Sequence, residues 1–201
     1  MKKAAAPQPY HHGDLRAALL AAGEAELAER GIEAFSLRGV ARRAGVSHAA
    51  PAHHFGDAGG LLTALATEAF HRFVQRQERR QSKAPADPLS QLVAAGLGYI
   101  DFALDHPALF RLMFSSRRPS HGTPALAQAA NAAYDKLQRD VAALRSGTST
   151  TDVQTVWALT HGLADLLNGG RIKSLAELRP AQREAAVAAL LRTALGEIAA
   201  R

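Results

Sequence analysis

Apolar residues recur every three or four positions through nearly the whole chain, and no stretch shows the apolar–polar alternation of a half-buried strand. Proline and glycine interrupt this pattern and mark the ends of its helical segments. Pro88, Pro107 and Pro180 each stand where a helical segment begins, a position that tolerates the missing amide proton. The pattern predicts an all-α chain of about nine helices, arranged as a small N-terminal bundle followed by a larger one.

Composition restricts the chemistry available to such a chain. None of its 201 residues is cysteine, which excludes disulfides, thiolate zinc sites and cysteine nucleophiles. The longest uncharged, largely apolar run, LSQLVAAGLGYI, is shorter than the roughly 20 residues that span a bilayer. The apolar stretch near the N-terminus is too short for a secretory signal. We therefore expect a soluble cytoplasmic protein with no membrane partner.

The charge pattern favours a polyanionic partner. The formal net charge is +6, and residues 34–56 contain three arginines and three histidines but no acidic residue. A second basic run, broken only by Glu78, is expected to be mainly a solvated helix face; it comprises Arg72, Arg76, Arg79, Arg80 and Lys83. Residues 1–12 are expected to form a flexible arm, either a disordered tail or an arm that reaches a DNA groove.

Residues 36–46 carry the pattern of two short helices joined by a tight turn. Ser36 is a suitable N-cap for a helix that buries Val40 and Ala41. Gly45 can adopt the left-handed conformation that the turn needs, and Val46 can then anchor the turn in the core. Both a helix-turn-helix and a generic helical hairpin fit this spacing. Ser47 is expected to cap the next helix.

The three histidines of that next segment do not suit a metal site. At about 100° per residue, His48 and His53 point about 140° apart around a helix, and His54 lies about another 100° on. Helical metal pairs use three- or four-residue spacing with a carboxylate or thiolate nearby, and neither is present here. We expect no metal and no cofactor. For His54, core packing near Phe55 and DNA contact both remain open.

Residues 15–62 resemble the N-terminal DNA-binding domain of TetR-type transcriptional regulators. The resemblance rests on ALLAAGEAELAERGIEAFSLRGVARRAGVS, then HHF, then an acidic residue and a Leu-Leu pair. In the second half, DHPALFRLMFS and WALTHGLADLL are similar to a TetR C-terminal subgroup marked by a tryptophan followed by His-Gly. The resemblance implies a helix-turn-helix domain at 13–60 and a ligand-binding and dimerisation domain at 61–201, with helix 61–82 connecting the two.

The resemblance further implies a homodimeric, ligand-responsive repressor. Its two recognition helices would enter successive major grooves of a palindromic operator, about 34–36 Å apart. The expected groove-facing residues are Ser47, His48, Ala49 and His53. Ser36, Arg38, Arg43 and His54 are expected to contact phosphates or to support the domain.

The chain departs from the family pattern at two positions that usually contact phosphates. Ala52 stands where relatives carry tyrosine and Ala58 where they carry lysine, while Gly59 and Gly60 replace an acidic pair that caps the fourth helix. Losing two phosphate contacts per subunit predicts weaker operator binding with a smaller salt dependence.

Large soft side chains gather in the second half, and most of them are expected to be ordinary core. The resemblance implies that some line an effector cavity between the fourth and eighth helices. The expected ligand contacts are Phe102, Phe110, Met113, Tyr134, Trp157 and His161. His161 stands one helical turn from Trp157 and is the expected polar anchor among these apolar groups. The last two helices expose enough apolar surface to form a four-helix dimer interface.

Two other classes of function are alternatives to a regulator of this kind. An all-α enzyme could use His161 and Asp165, one turn apart, as an acid–base pair, but no nucleophile, metal set or phosphate loop accompanies them. We therefore expect no catalytic residues and no enzymatic activity. A non-specific nucleic-acid-binding protein is compatible with the basic composition and remains the main alternative.

Overall fold

The structure is a computed structural model that describes residues 12–200, with side chains from residue 15. Most of the expected arm, including Lys2, Lys3 and Tyr10, lies outside the described residues. The described part forms ten helices and no strand: α1 His12–Arg30, α2 Leu37–Ala44, α3 Ala50–Phe55, α4 Ala58–Gln81, α5 Pro88–Asp105, α6 Pro107–Phe114, α7 Pro124–Ala142, α8 Thr150–Asn168, α9 Lys173–Ala176 and α10 Pro180–Ala199. This confirms the all-α prediction. The additional helix is the four-residue α9, in a segment expected to be a loop.

Helices α1–α3 form a small bundle on the N-terminal end of α4. Ser36 caps α2 by accepting a hydrogen bond from the Gly39 amide at 3.1 Å. Gly45 ends the helix with φ 67°, and the Val46 amide donates to the Ala41 carbonyl at 3.1 Å. These are the cap and the left-handed turn that the sequence predicts.

The prediction that Ser47 caps the third helix is wrong. Helix α3 begins at Ala50 behind an Ala49 N-cap that makes no side-chain hydrogen bond. The Ser47 carbonyl instead accepts from the Ala50 amide at 3.1 Å, so Ser47 belongs to a tight turn that precedes the helix.

Helix α4 begins three residues earlier than the expected Leu61. Asp57 is its N-cap and accepts from the Gly60 amide at 2.8 Å. A Cβ atom on Gly60 would lie 1.9 Å from the Phe55 carbonyl oxygen, so only glycine allows α3 and α4 to meet this closely. Gly59 and Gly60 therefore lie inside the first turn of α4 and do not precede it.

The larger bundle is built around α5, which packs against α4 on one side and against α8 and α10 on the other. Helix α4 also contacts α1, α3, α6 and α7, and the buried apolar residues form one continuous core through both bundles. Helix α4 is thus the element that joins the two bundles. Within residues 12–200, no helix has the length and apolar character needed to cross a membrane.

Three residues of the basic run on α4 form ion pairs, whereas Arg79 and Lys83 are exposed as expected of a solvated face. Arg72 contacts Glu24 of α1 at 2.5 Å, and Arg76 contacts Asp105 of α5 at 2.6 Å. Three further pairings continue the series: Arg76 with Asp101, Arg80 with Asp101 and Arg80 with Glu184 of α10. Each such surface pair contributes little by itself, but together they fix the orientation of α4.

Candidate functional site

One exposed surface lies at the turn before α3 and on α3 itself. Pro51 is the buried residue of α3. The ring of His54 is half-buried, and its centroid lies 6.2 Å from that of Phe55. The structure brings all four predicted groove-facing residues onto the exposed surface: Ser47, His48, Ala49 and His53. The described residues contain no group of three His, Asp or Glu side chains suited to a metal ion.

Arg43 is exposed but already paired with two acidic side chains of α1. Its Nε donates to Glu26 Oε2 at 2.7 Å, and a second nitrogen contacts Glu29. The Glu26 carboxylate is only 2 % exposed and lies over Gly39, where a Cβ atom would fall 1.9 Å from Glu26 Oε1. A buried carboxylate needs such a partner, so Arg43, although exposed itself, supports the packing of α2 against α1.

Arg38 and Arg42 are the cations that remain available beside α3. Both side chains are exposed, and within residues 12–200 neither forms an ion pair. The exposed Ser36 hydroxyl lies at the N-terminus of the same helix. These groups can approach a polyanion without meeting an acidic residue between positions 34 and 56.

A cavity of about 220 Å³ lies between α4, α5, α6, α7 and α8. Met113, Tyr134 and Trp157 line it, as the sequence predicts for ligand contacts. Phe102 and Phe110 are instead buried in the core and do not line it. The cavity therefore contains half of the six predicted contacts.

His161 does not line the cavity itself but packs behind two residues that do, Tyr99 and Phe114. Its Nδ1 lies 2.7 Å from the Tyr99 hydroxyl, and its ring packs against Phe110 and Phe114 with both centroid distances at 5.2 Å. Burial lowers the pKa of His161 and raises the pKa of Tyr99, so both groups are neutral near pH 7. Asp165 is exposed and lies 3.3 Å from Arg171; it influences His161 through its charge and forms no hydrogen bond with it.

The lowered pKa of His161 predicts a loss of stability in mild acid. The unfolded chain binds the proton more readily than the folded chain, so the free energy of unfolding falls as the pH drops below the ordinary value of about 6.5. We expect His161→Gln to reduce this pH dependence in urea titrations between about pH 7 and pH 5. His71→Gln, at an exposed site on α4, is the control; an equal change in both variants would contradict the prediction.

Sequence reasoning missed the polar side chains of the cavity region. Lys136 is 6 % exposed, and its Nζ donates to Asp140 Oδ2 and to Gln81 Oε1, both at 2.6 Å. Gln77 lines the cavity and is 8 % exposed. In the sequence, Lys136 and Asp140 have the four-residue spacing of a solvated helix pair, and Gln77 stands in a highly charged stretch.

A second surface, on α8 and α10, has the character of an interface. Leu166 of α8 and Leu190 of α10 are large apolar side chains that are 39 % and 50 % exposed. Trp157 is also exposed, but it lies about 180° from Leu166 around α8 and lines the cavity. Gly162 of α8 is half-buried, and a Cβ atom placed on it would have no neighbour within 4 Å. A second helix could therefore pack closely here.

Family models match both halves of the chain. Residues 19–65 match the model described as bacterial regulatory proteins, tetR family. Residues 92–194 match the model of a tetracyclin repressor-like C-terminal domain. The tryptophan/His-Gly subgroup stays a prediction.

Individual relatives agree with these matches. The chain is 34% identical to a solved protein of unknown function from Rhodococcus sp. RHA1, over 94% of this chain and 98% of that one, with a TM-score of 0.77. It shares the fold of a TetR-like transcriptional regulator from the same organism, at 19% identity and a TM-score of 0.67 over 96% and 97% of the two chains. It is 37% identical over 79 residues to the HTH-type transcriptional regulator BetI of Paraburkholderia phytofirmans. That stretch spans 39% of this chain and 40% of the curated relative.

Proposed function

The chain belongs to the tetR family of bacterial regulatory proteins, and on that premise we propose that a homodimer of it represses transcription from a palindromic operator until a small molecule fills the cavity. The observation that carries this proposal is the double role of α4. Leu61 and Leu62 pack in the core next to the small bundle, whereas Phe70, Phe73 and Gln77 of the same helix line the cavity. A ligand in the cavity would contact the helix on which α1–α3 are mounted.

The coupling follows from this geometry. A ligand that favours a different position of α4 would move α3 with it and change the separation of the two recognition helices in the dimer. Such coupling between two sites typically corresponds to about 1–3 kcal/mol. DNA contact would come from Ser47, His48, Ala49 and His53, with Arg38 and Arg42 near the phosphates. We propose residues 13–60 as the DNA-binding domain and 61–201 as the ligand-binding and dimerisation domain, acting in the cytoplasm.

A mobility-shift assay tests this function directly. The labelled DNA is the region upstream of the protein's own gene, and random DNA of the same length is the competitor. We expect the upstream region to bind much more tightly, typically by about 10³-fold or more for a specific regulator. Equal affinity for both DNAs would instead favour a non-specific nucleic-acid-binding protein.

The two alanines at phosphate-contact positions give a second test. Ala52 is exposed on α3, and Ala58 is the first residue of α4. We expect Ala58→Lys to tighten operator binding and to steepen the plot of log affinity against log salt by about one unit per subunit. We expect Ala52→Tyr to tighten binding with a smaller change of slope, because the phenol adds a hydrogen bond without a charge.

Ala143→Lys, which adds the same charge at the exposed end of α7, is the control for Ala58→Lys. If neither Ala52→Tyr nor Ala58→Lys changes operator affinity, α3 does not lie against the DNA as proposed.

A further inference from the structure

The cavity between α4 and α8 has a mostly apolar wall that is rich in aromatic side chains. Besides the imidazole of His121, its rings belong to Phe70, Phe73, Tyr99, Phe114, Tyr134 and Trp157. Rings of this kind bury a large apolar area and pack edge to face with a flat ligand. The volume of about 220 Å³ lies below the roughly 300–1,000 Å³ of sites for drug-sized molecules. The cavity therefore suits a small molecule that contains a ring.

Several polar side chains that line the cavity already have a partner, and His121, at its exposed edge, lies 3.4 Å from the Ser116 carbonyl oxygen. The Thr160 hydroxyl donates to the Val156 carbonyl at 2.8 Å, and the Tyr99 hydroxyl is bonded to His161. Gln77 differs from them. Its side chain is more than nine-tenths buried, yet among residues 12–200 no group forms a hydrogen bond with its amide.

Among residues 12–200 no fully buried side-chain nitrogen or oxygen lacks a hydrogen-bond partner, so the polar atoms of the Gln77 amide open onto accessible space, and Gln77 lines the cavity. A ligand group in the cavity can therefore hydrogen-bond to this amide in place of water. Gln77 is also held firmly in place. Gly98 of α5 packs against it so closely that a Cβ atom there would lie 2.6 Å from Gln77 Cα. The backbone from which the amide extends is therefore fixed in the cavity wall.

The charge of the cavity is balanced within the protein. Asp140 is the acidic residue that lines it, and Oδ2 of Asp140 accepts from Lys136 at 2.6 Å and from Gln81 at 3.2 Å. An anionic ligand would be repelled, because the Asp140 carboxylate lines the cavity and Lys136 does not. A cationic ligand would be attracted by the rings but would compete with Lys136 for a carboxylate that is already paired.

We propose that the effector is a small, uncharged, ring-bearing molecule whose carbonyl, hydroxyl or amide group hydrogen-bonds to the side chain of Gln77. This inference rests on the proposed function, since it names the ligand class of the same cavity. The polar group that would hold the ligand is then Gln77 of α4 and not His161, which is bonded to Tyr99. The anchored ligand would then act directly on the helix that carries the DNA-binding domain.

The test uses four probes with one carbon skeleton and different end groups: 4-phenylbutanamide, 4-phenylbutanoate, 4-phenylbutylammonium and butylbenzene. Trp157 is the only tryptophan of the chain and lines the cavity, so its fluorescence reports binding to the full-length protein without DNA. We expect the amide to bind at least about tenfold more tightly than either charged probe, because burying an unpaired charge is costly. Tightest binding of the cation or the anion, or no binding of any probe, would overturn the proposal.

Gln77→Met removes the amide and keeps the length of the side chain. We expect it to weaken binding of 4-phenylbutanamide about three- to tenfold, the range of one hydrogen bond, and to leave butylbenzene unchanged. Gln75→Met, the same change at an exposed position of α4, is the control and should alter neither probe. Equal weakening of both probes by Gln77→Met would assign Gln77 a packing role and refute the anchor.

Gln77→Glu covers the case in which Gln77→Met does not fold. It keeps a polar side chain and adds a negative charge, so the preference should move from the amide to the ammonium probe; an unchanged preference would refute the anchor. Release of the upstream DNA is measured separately by mobility shift. A protein that binds the amide probe but no upstream DNA would refute the proposed function and leave the ligand class standing.

Discussion

Gly162→Arg is expected to convert the protein into a folded monomer that has lost specific operator binding. Gly162 lies on α8 in line with Ala158 and Leu166, at four-residue spacing, on the surface that also exposes Leu190 of α10. Within the subunit, a Cβ atom at Gly162 meets no neighbour within 4 Å, so a long side chain fits. Replacing glycine inside a helix even favours the helix by up to about 1 kcal/mol.

The same substitution would be incompatible with a partner helix. In the proposed dimer, arginine at this position would place an unpaired charge between the subunits, together with a volume that glycine does not occupy. A monomer binds only one half-site and loses the gain from linking two, so operator affinity should fall about 100-fold or more.

Sedimentation equilibrium at micromolar concentration measures the change in mass, and thermal unfolding verifies that the variant is folded. Gln138→Arg, on an exposed position of α7, is the charge-matched control and should remain dimeric. A wild-type protein that sediments as a monomer, or a Gly162→Arg variant that remains a dimer, would contradict the proposed interface.

The features that could be predicted from the sequence are those with local causes. The Ser36 cap and the left-handed Gly45 depend on residues within a few positions of each other, and both are present as expected. Pro88, Pro107 and Pro180 also begin helices, as their missing amide protons predict. The same local reasoning failed at Ser47, because an extra turn separates it from α3 and leaves Ala49 as the cap.

The cavity depends on contacts that helix periodicity does not encode. Trp157 and His161 are one turn apart on α8, and both lie beside Tyr99 of α5. Trp157 also packs on Tyr134 of α7, with ring centroids 6.0 Å apart, whereas His161 packs on Phe110 and Phe114 of α6. Shared spacing placed both on one side of α8 without showing that two different helices cover that side. Which ring enters the cavity is decided by those neighbours.

The burial of polar side chains could not be predicted from the sequence for a related reason. Glu26 has the sequence context of a surface residue on an amphipathic helix, yet it is buried against Gly39 and paired with Arg43 from another helix. Its burial requires a partner 17 positions away in the chain. Only Gly39 gave a local indication, since a glycine inside a short helix often marks a close approach.

Gly98→Ala is expected to destabilise the protein although alanine is the better helix former. The added Cβ atom would lie 2.6 Å from Gln77 Cα and 2.9 Å from the Arg76 carbonyl oxygen, both of which are backbone atoms of α4. The overlap can therefore be removed only if α4 and α5 move apart. Overpacking of this kind typically costs about 1–3 kcal/mol, which exceeds the roughly 1 kcal/mol that alanine gains over glycine in a helix.

Urea unfolding of Gly98→Ala, compared with Gly196→Ala, isolates this close approach. Gly196 is also inside a helix, but a Cβ atom there would meet its nearest neighbour, Leu89, only at 3.9 Å, so we expect the control to be neutral or stabilising. Because the displaced backbone carries Gln77, Gly98→Ala should also weaken binding of 4-phenylbutanamide. Unchanged or increased stability of Gly98→Ala would mean that α4 does not cross α5 at this distance, and the position of Gln77 in the cavity wall would then lose its main structural support.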